Sequence, residues 1–345
     1  MIPVCINGIE YSVPKLKVTN DDISKIVDTS DEWITQRTGI KSRYIASSSE
    51  TASTLAIEAS KKLIENKNIN PETIDMIISA TASPERHYPT VACEVQAGIG
   101  AKNASAFDIS VACTGYVYAL QIARANVATG FAKRVLVITS DTTSKFVDWK
   151  DRTTCVLFGD GATATLVEES NDGINDIEEV ILGADGTKKE FISLDLQREI
   201  CPLAENNGVN GDNHLKMAGK DVYKYVMQEI PTLIEKTLEK SNMTWEDIDY
   251  FVPHQANLRM IEALTERLGI QAEKVLTNIE EFGNTSATSI PCVLSDKMKK
   301  GELKTPSTLL LCAFGAGMAS GTASFNLGTW NYKNTDTCND RTSRA

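Results

Sequence analysis

Cys113 is the residue whose type and position best fit a catalytic nucleophile. Apolar residues recur at helical spacing from Val117 to Val127 and Gly130 then supplies a stop signal, so the sequence predicts a buried helix just after the cysteine. The first turn of a helix offers unpaired backbone N–H groups and the positive end of the helix dipole, and both favour a thiolate. Because many cysteines are simply small core residues, position alone leaves a catalytic and a structural interpretation open.

An internal repeat indicates what surrounds this cysteine. Residues 71–80 resemble residues 245–254 at an offset of 174 positions, and the same offset carries the apolar run 135–138 onto 309–312. Continuous apolar strands that alternate with helices are typical of a sheet covered on both faces. The repeat therefore predicts two similar α/β halves.

Two such halves would bring equivalent helix ends together at their centre. The offset carries Cys113 into the segment 283–291, where we expect Asn284 to begin the equivalent helix. His254 follows the strand-like run 250–252. A pocket between the halves would then hold a thiol, a carboxamide and an imidazole. Taken singly, Asn284 equally fits a turn or cap residue, and His254 a hydrogen-bonded core residue.

Length and composition are typical of a globular protein with a large core. The chain has 345 residues, of which 42% are hydrophobic and 23% charged. We expect an N-terminal half at 1–170, which carries the nucleophile, and a C-terminal half at 171–330, which carries the histidine and asparagine. The polar, aperiodic end at 331–345 is expected to be a loose tail.

Charge and cysteine usage exclude several other classes. The net charge of −11 argues against nucleic-acid binding, which usually needs a basic face. No apolar run approaches the ~20 residues of a membrane span, and the N-terminus lacks the pattern of a signal peptide. Eight cysteines without a CxxC pair, together with only three histidines, predict a reduced, cytoplasmic protein without a metal site.

Motifs over nearly the whole chain resemble those of the β-ketoacyl-acyl carrier protein synthase III family. Three of them surround the candidate pocket residues: Val-Ala-Cys113-Thr-Gly, Pro-His254-Gln-Ala-Asn and Gly-Asn284-Thr-Ser-Ala. The others lie at 28–34, 37–40, 158–162 and 313–317. The resemblance implies the thiolase fold, in which two pseudo-symmetric α/β halves form five layers, α-β-α-β-α, and it implies a homodimer.

The resemblance also implies a decarboxylative condensation that initiates type II fatty acid synthesis. A short-chain acyl-CoA, with acetyl-CoA expected first, and malonyl-acyl carrier protein would give β-ketoacyl-acyl carrier protein, CoA and carbon dioxide. Cys113 would hold the acyl group, while His254 and Asn284 would donate hydrogen bonds to the malonyl-derived enolate. The backbone N–H groups of Cys113 and Ala316 would form an oxyanion hole. CoA enters as part of a substrate, and neither a metal nor a tightly bound cofactor is implied.

Contacts with CoA are assigned by the resemblance to Trp33, Arg37 and Arg152. An indole can stack on adenine, and guanidinium groups bind phosphates in fixed geometry. For each arginine alone, a solvated surface charge is the commoner interpretation.

An acidic carrier protein requires a basic surface on this acidic chain. Lys216, Lys220 and Lys224 would line one face of a helix if residues 215–225 were helical. Lys224 and Arg259 match docking residues of the family, and Lys220 lies one turn from Lys224. A solvated lysine stripe is the alternative interpretation.

The acyl pocket is assigned to Tyr88, Phe158 and Ser320. Tyr88 matches a phenylalanine that closes the pocket of the neighbouring subunit in relatives, and a ring there favours a short primer. The segment 314–321 departs from the family pattern, since Ala316 replaces a glycine and Ser320 a tryptophan. The triad also fits a starter-unit ketosynthase or an acyltransferase of specialised, polyketide-like metabolism. A non-catalytic member is disfavoured because all three triad residues are present.

Overall fold

The computed structural model describes residues 1–197 and 211–328, so the predicted tail at 331–345 lies outside the described residues. In this part of the chain the strands are β1 (Val4–Ser12), β2 (Leu16–Thr19), β3 (Ser42–Ile45), β4 (Met76–Ala80), β5 (Ser105–Ile109), β6 (Arg134–Asp141), β7 (Gly161–Glu169), β8 (Ile177–Ala184), β9 (Ile192–Leu194), β10 (Leu215–Met217), β11 (Tyr250–Pro253), β12 (Ser307–Gly315) and β13 (Ala319–Leu327). The α-helices are α1 (Asn20–Ile23), α2 (Asp31–Thr38), α3 (Ala52–Lys67), α4 (Val91–Ile99), α5 (Gly115–Ala128), α6 (Gly219–Lys240), α7 (Leu258–Leu268), α8 (Ile279–Phe282) and α9 (Ser289–Lys299). None of these helices is long and apolar enough to cross a membrane.

Two sheets with the same internal plan carry the fold. One has five strands in the order β1-β7-β6-β4-β5, and the other has four in the order β11-β12-β13-β8. In each sheet a parallel pair, β4–β6 or β11–β12, continues into two antiparallel pairings. The position equivalent to β5 is reduced in the second sheet to a single parallel bridge between Phe251 and Val275. The division that we place at residue 170 falls between β7 and β8.

The predicted repeat is confirmed at the level of single elements. Cys113 lies in a short 3₁₀ turn, Ala112–Thr114, and the turn Ser286–Thr288 follows it at an offset of 174 residues. The helices after these turns, α5 and α9, begin at the same offset. The two halves therefore present matching turns and matching helices.

Burial on both faces of each sheet produces the five layers. Along β6, Val135 and Val137 contact the central core, whereas Leu136 and Ile138 contact an outer core, as the alternation of a strand requires. Helices α5 and α9 fill the central layer between the sheets. Helices α3 and α4 cover the first sheet from outside, and α6 and α7 cover the second. The predicted α-β-α-β-α architecture is thus confirmed.

Residues 215–225 do not form the single helix that the lysine stripe would require. Leu215–Met217 forms β10, which pairs antiparallel with β9, and α6 begins only at Gly219. The strand forms because Leu215 and Met217 alternate onto the wall of a cavity, a tertiary contact that the lysine spacing does not record. Lys216 consequently lies on a strand, apart from the two lysines that follow on α6.

Candidate active site

The nucleophile lies in a strained turn immediately before α5. Ala112 adopts a left-handed φ of 43°, which is uncommon for a residue with a side chain. Gly315, at the end of β12, packs directly against the cysteine: a Cβ at that position would lie 2.9 Å from the Cβ of Cys113 and 3.0 Å from its backbone nitrogen. Helix α5 then ends at Ala128, and Gly130 takes a φ of 74°, so the predicted glycine stop is confirmed.

The protonation state of Cys113 differs from the sequence-based expectation. Burial raises the pKa of the thiol to about 12, a hydrogen bond to Ser286 lowers it in part, and the nearby Asp141 carboxylate raises it further. The helix start was expected to favour a thiolate, whereas partial burial beside a carboxylate favours the neutral thiol.

His254 is held as a neutral hydrogen-bond donor. It follows β11 as predicted, and its ring nitrogen Nδ1 lies 2.7 Å from the Oγ of Ser289. That Oγ also accepts a hydrogen bond from the backbone N–H of Gln255 at 3.3 Å. We therefore assign the Ser289 hydroxyl as the hydrogen-bond donor and Nδ1 as the acceptor. The imidazole's own proton then lies on Nε2. Burial lowers the pKa of His254 to about 3, and the Phe314 ring packs edge-on against the imidazole at 5.4 Å.

Asn284 is fixed through its side-chain oxygen. The backbone N–H of Ser286 donates to the Oδ1 of Asn284 at 2.9 Å, which leaves the Nδ2 donors for other partners. The backbone of Asn284 forms a bridge to Phe158. Asn284 does not begin α9 as expected, because a 3₁₀ turn with a left-handed Ser286 (φ 55°) separates it from Ser289. Its position is set by this turn.

One cavity of about 950 Å³ joins the three predicted triad residues, Cys113, His254 and Asn284. This volume is near the upper end for small-molecule pockets, so it can receive an extended ligand. Phe158 and Ala316, which the resemblance assigns to the acyl pocket and the oxyanion hole, also line it. The remaining wall has a polar section near residues 81–87 and an apolar section on β9, β10 and α6.

Two residues assigned to the acyl pocket, Ser320 and Tyr88, do not line the cavity of the single chain. Ser320 is on β13 and does not line the cavity. Its assignment to the acyl pocket is corrected accordingly for the single chain, because its side chain is not part of the cavity wall. Tyr88 is 86% exposed and does not line the cavity of its own chain.

The residues assigned to CoA form one cluster. The guanidinium carbons of Arg37 and Arg152 lie 4.7 and 5.1 Å from the centre of the Trp33 ring. Arg152 also donates to the backbone carbonyl of Asp28 at 2.9 Å. The amide of Asn257, which lines the cavity, donates to the carbonyl of Arg37 at 3.0 Å. An aromatic ring and two cations are thereby placed beside the cavity.

The residues assigned to carrier-protein docking are exposed on two helices that also contribute to the cavity wall. Lys220 and Lys224 lie on α6 and Arg259 lies on α7, and all three are exposed, whereas Val222 of α6 and Met260 of α7 line the cavity. None of the three forms an ion pair within the described part of the chain. By contrast, the Lys216 ammonium lies 3.1 Å from the Asp212 carboxylate.

The sequence analysis missed the residues that support the triad. Ser286 and Ser289 lie in the same motif as Asn284, and their spacing of three residues places both hydroxyls along one turn. Nothing in that spacing specifies that one would contact the cysteine and the other the histidine. Asp141, at the end of β6, had no sequence signal beyond its position after an apolar run.

Comparison with known proteins identifies the family. Residues 107–186 match the family model described as 3-oxoacyl-[acyl-carrier-protein (ACP)] synthase III, and residues 238–327 match the model of its C-terminal part. A β-ketoacyl-[acyl-carrier-protein] synthase III from Clostridium acetobutylicum is 44% identical over 321 residues, which cover 93% of this chain and 98% of the relative. The chain belongs to the β-ketoacyl-acyl carrier protein synthase III family. It is therefore an acyltransferase that initiates fatty acid synthesis by condensing an acyl-CoA with malonyl-acyl carrier protein, as predicted.

Solved structures of synthase III enzymes share the fold. The crystal structure of 3-oxoacyl-[acyl-carrier-protein] synthase III from Aquifex aeolicus superposes with a TM-score of 0.86 at 41% identity, covering 94% of this chain and 99% of that chain. The priming β-ketosynthase of the R1128 polyketide biosynthetic pathway has a TM-score of 0.87 at 30% identity, covering 96% and 98%. The polyketide enzyme is thus similar in fold but more distant in sequence.

Proposed function

We propose that this synthase III loads a short acyl group, acetyl above all, from CoA onto Cys113 and condenses it with malonyl-acyl carrier protein by means of His254 and Asn284. One observation carries the proposal: a thiol, a neutral imidazole and an oriented carboxamide line a single cavity. Each chemical role in this proposal is assigned to a side chain or a backbone group of the protein.

The first half-reaction is the acylation of Cys113. Its sulfur attacks the thioester carbonyl, the bond to the CoA sulfur breaks, and the CoA thiolate takes up a proton. The backbone N–H groups of Cys113 and Ala316 are proposed to stabilise the oxyanion of the tetrahedral intermediate. The close contact between Gly315 and Cys113 supports this role, because it brings the backbone that precedes Ala316 against the nucleophile.

The second half-reaction is the decarboxylation and condensation of the malonyl group. As carbon dioxide leaves, negative charge develops on the malonyl thioester oxygen. The Nε2–H of His254 and the Nδ2–H of Asn284 are proposed to donate to that oxygen. A neutral histidine suits this task, since it donates from Nε2 without first having to gain a proton. The enolate carbon then attacks the acyl carbon on Cys113, the carbon–sulfur bond of the resulting tetrahedral intermediate breaks, and the departing Cys113 sulfur takes up a proton.

A product assay tests the proposal and the identity of the primer. The enzyme is incubated with acetyl-, isobutyryl- and hexanoyl-CoA in turn, together with malonyl-acyl carrier protein, and the products are identified by mass. We expect a β-ketoacyl-acyl carrier protein with acetyl-CoA and none from the Cys113→Ala variant. A wild-type enzyme that forms an acyl adduct but no condensation product would instead support an acyltransferase of specialised metabolism.

The carrier protein is proposed to bind beside α6 and α7. Lys220, Lys224 and Arg259 supply exposed positive charge on the two helices that contribute Val222 and Met260 to the cavity wall, and an acidic partner would be attracted to that charge. We expect Lys224→Glu with Arg259→Glu to raise KM for malonyl-acyl carrier protein at least tenfold while acylation from CoA is unchanged. Lys216→Glu is the matched control, because Lys216 already pairs with Asp212. Equal kinetics for the double variant and the control would contradict this docking surface.

A homodimer is proposed from the open edge of the first sheet. Among the described strands, β5 pairs only with β4, and Phe107 on β5 is 36% exposed. An unpaired strand edge with an exposed aromatic ring favours association with another chain. Tyr88 would then reach the acyl pocket of the second copy and limit primer length. Light scattering should give the mass of two chains, and Tyr88→Ala should extend the range of accepted acyl chains; a monomer with a short-chain preference would contradict both points.

A further inference from the structure

A buried side-chain amide lies next to His254 and takes part in neither half-reaction. Gln255 is fully buried. It does not line the cavity, whereas its chain neighbours His254 and Ala256 do. Because unpaired polar atoms are costly to bury, the hydrogen bonds of a buried amide show which parts of the chain it joins.

The amide of Gln255 joins the end of β11 to the segment 276–278. Its Nε2 donates to the carbonyl of Pro253 at 2.6 Å and to that of Leu276 at 3.5 Å. Its Oε1 accepts from the backbone N–H of Asn278 at 3.2 Å. These bonds fix the orientation of the amide, since the reversed amide would point its oxygen at two carbonyls and its NH₂ group at an N–H.

The segment 276–278 leads directly to Asn284. Asn278 precedes α8, and its carbonyl accepts hydrogen bonds from the backbone N–H of Glu281 at 3.1 Å and of Phe282 at 3.2 Å. Gly283 and Asn284 follow at once. Because hydrogen bonds hold this helical turn together, a displacement of Asn278 is passed on to Asn284.

The two enolate donors are anchored to different halves of the chain. The backbone N–H of His254 donates to the carbonyl of Cys312 on β12 at 2.7 Å. The backbone N–H of Asn284 donates to the carbonyl of Leu157 at 2.9 Å, and its carbonyl accepts from Gly159 at 3.0 Å. One donor therefore follows the second sheet and the other follows the first half. The amide described above ties the two units together.

We propose that Gln255 is a positioning residue that sets the distance between His254 and Asn284. The inference rests on the decarboxylation proposed above, in which both side chains donate to one oxygen. Two donors converge on a single oxygen only when each is held within about 0.5 Å of its place. A misplacement of about 1 Å can cost about 100-fold in rate. Gln255 touches no reacting atom, since it lies outside the cavity wall.

Replacement of the amide should slow decarboxylation alone. Methionine has a similar length but cannot donate to the carbonyl of Pro253, so Gln255→Met removes the tie. We expect carbon dioxide release from malonyl-acyl carrier protein, measured with enzyme that already carries acetyl on Cys113, to slow about 10- to 100-fold. Formation of acyl-Cys113 should stay within about threefold of wild type, because neither donor acts in that step.

A double-mutant cycle separates positioning from a general loss of stability. In the Asn284→Ala enzyme one donor remains, and the malonyl oxygen can shift to meet it, so the distance between the donors no longer matters. Gln255→Met should therefore change decarboxylation by less than about threefold in that background. The His254→Ala background should give the same result. A general loss of packing would slow every background by the same factor.

Thr265→Val is the matched control. Thr265 lies on α7, the helix after the His254 motif, and its buried hydroxyl donates to the carbonyl of Ile261 at 2.8 Å without lining the cavity. Like Gln255→Met, this variant removes a buried bond between a side chain and the backbone. It should lower the melting temperature and leave decarboxylation unchanged.

The outcomes distinguish this inference from the proposed function. A Gln255→Met enzyme that decarboxylates as fast as the control, or that slows all backgrounds equally, overturns the positioning role. If Gln255→Met does not fold, as judged by its melting curve, Gln255→Asn decides by the same cycle, because its amide is too short to span both segments. A wild-type enzyme that carries acetyl on Cys113 but releases no carbon dioxide contradicts the proposed function itself.

Discussion

The Ser289→Ala variant tests whether a single hydroxyl determines the proton position on His254. Ser289, His254 and Gln255 are all buried, and the Ser289 Oγ lies 2.7 Å from His254 Nδ1 and 3.3 Å from the Gln255 nitrogen. Alanine leaves both of those groups without this partner, which costs about 1–3 kcal/mol of unfolding free energy. It also frees the imidazole to carry its proton on either nitrogen and to rotate.

The catalytic effect should fall on decarboxylation alone. Loss of one donor at a developing oxyanion costs about 100- to 1000-fold in rate, and a disordered donor costs less, so we expect malonyl decarboxylation to slow by about 10- to 100-fold. Acylation of Cys113 should stay within threefold of wild type, since His254 is proposed to act on the malonyl thioester alone. Release of carbon dioxide and the mass of the acyl-enzyme measure the two steps separately.

A matched control separates tautomer control from general loss of packing. Ser295 lies on the same helix, α9, is also buried, and donates to the carbonyl of Ile9 at 3.1 Å. Ser295→Ala should lower the melting temperature without slowing decarboxylation. If Ser289→Ala decarboxylates as fast as this control, the Ser289 hydroxyl does not set the proton position and our assignment of the Nε2–H donor is refuted.

Three further predictions follow from the geometry of the site. Gly315→Ala should reduce acyl-Cys113 formation by at least 100-fold, because the added methyl would lie 2.9 Å from the cysteine Cβ; an unchanged acyl-enzyme yield by mass would argue against this contact. Trp33→Ala should raise KM for acetyl-CoA about tenfold with little change in kcat, whereas an altered kcat alone would exclude a binding role. Because burial lowers the pKa of His254 from 6.5 to about 3, only the unfolded chain binds this proton at intermediate pH. Acidification from pH 7.5 to 5 should therefore cost about 2 kcal/mol of unfolding free energy. Denaturant titrations at several pH values should show that wild type and His254→Asn differ in how steeply the unfolding free energy falls as the pH is lowered. Equal pH dependence in the two proteins would contradict a buried neutral histidine.

The parts of the site that follow from repetition and motif were predictable. The 174-residue offset is a property of the sequence, and it carries over to the turns around Cys113 and Ala287 and to the helices after them. The motifs around His254 and Asn284 predicted the remaining triad members, and one cavity is lined by all three residues. Long apolar strands and helical periodicity determine these elements locally, which is why pattern alone located them.

The parts that depend on contacts distant in the chain were not predictable. Burial of Cys113 reverses the effect expected of a helix start on its pKa, and burial is a property of the assembled halves. The pairing of Leu215–Met217 with β9 overrides a lysine spacing that suggests a helix. Ser320 does not line the cavity, although its place in a family motif suggested that it would. In the first two cases a partner far away in sequence decides the outcome.

The paired 3₁₀ turns show that the two copies of a duplicated unit can supply different parts of one site. The turn Ala112–Thr114 carries Cys113, while its counterpart, Ser286–Thr288, carries no sulfur and supplies the hydroxyl that contacts Cys113 and the backbone N–H that holds Asn284. A substitution in the second turn therefore leaves the thiol of Cys113 in place. We expect such substitutions to change how fast Cys113 reacts without removing its capacity to carry an acyl group.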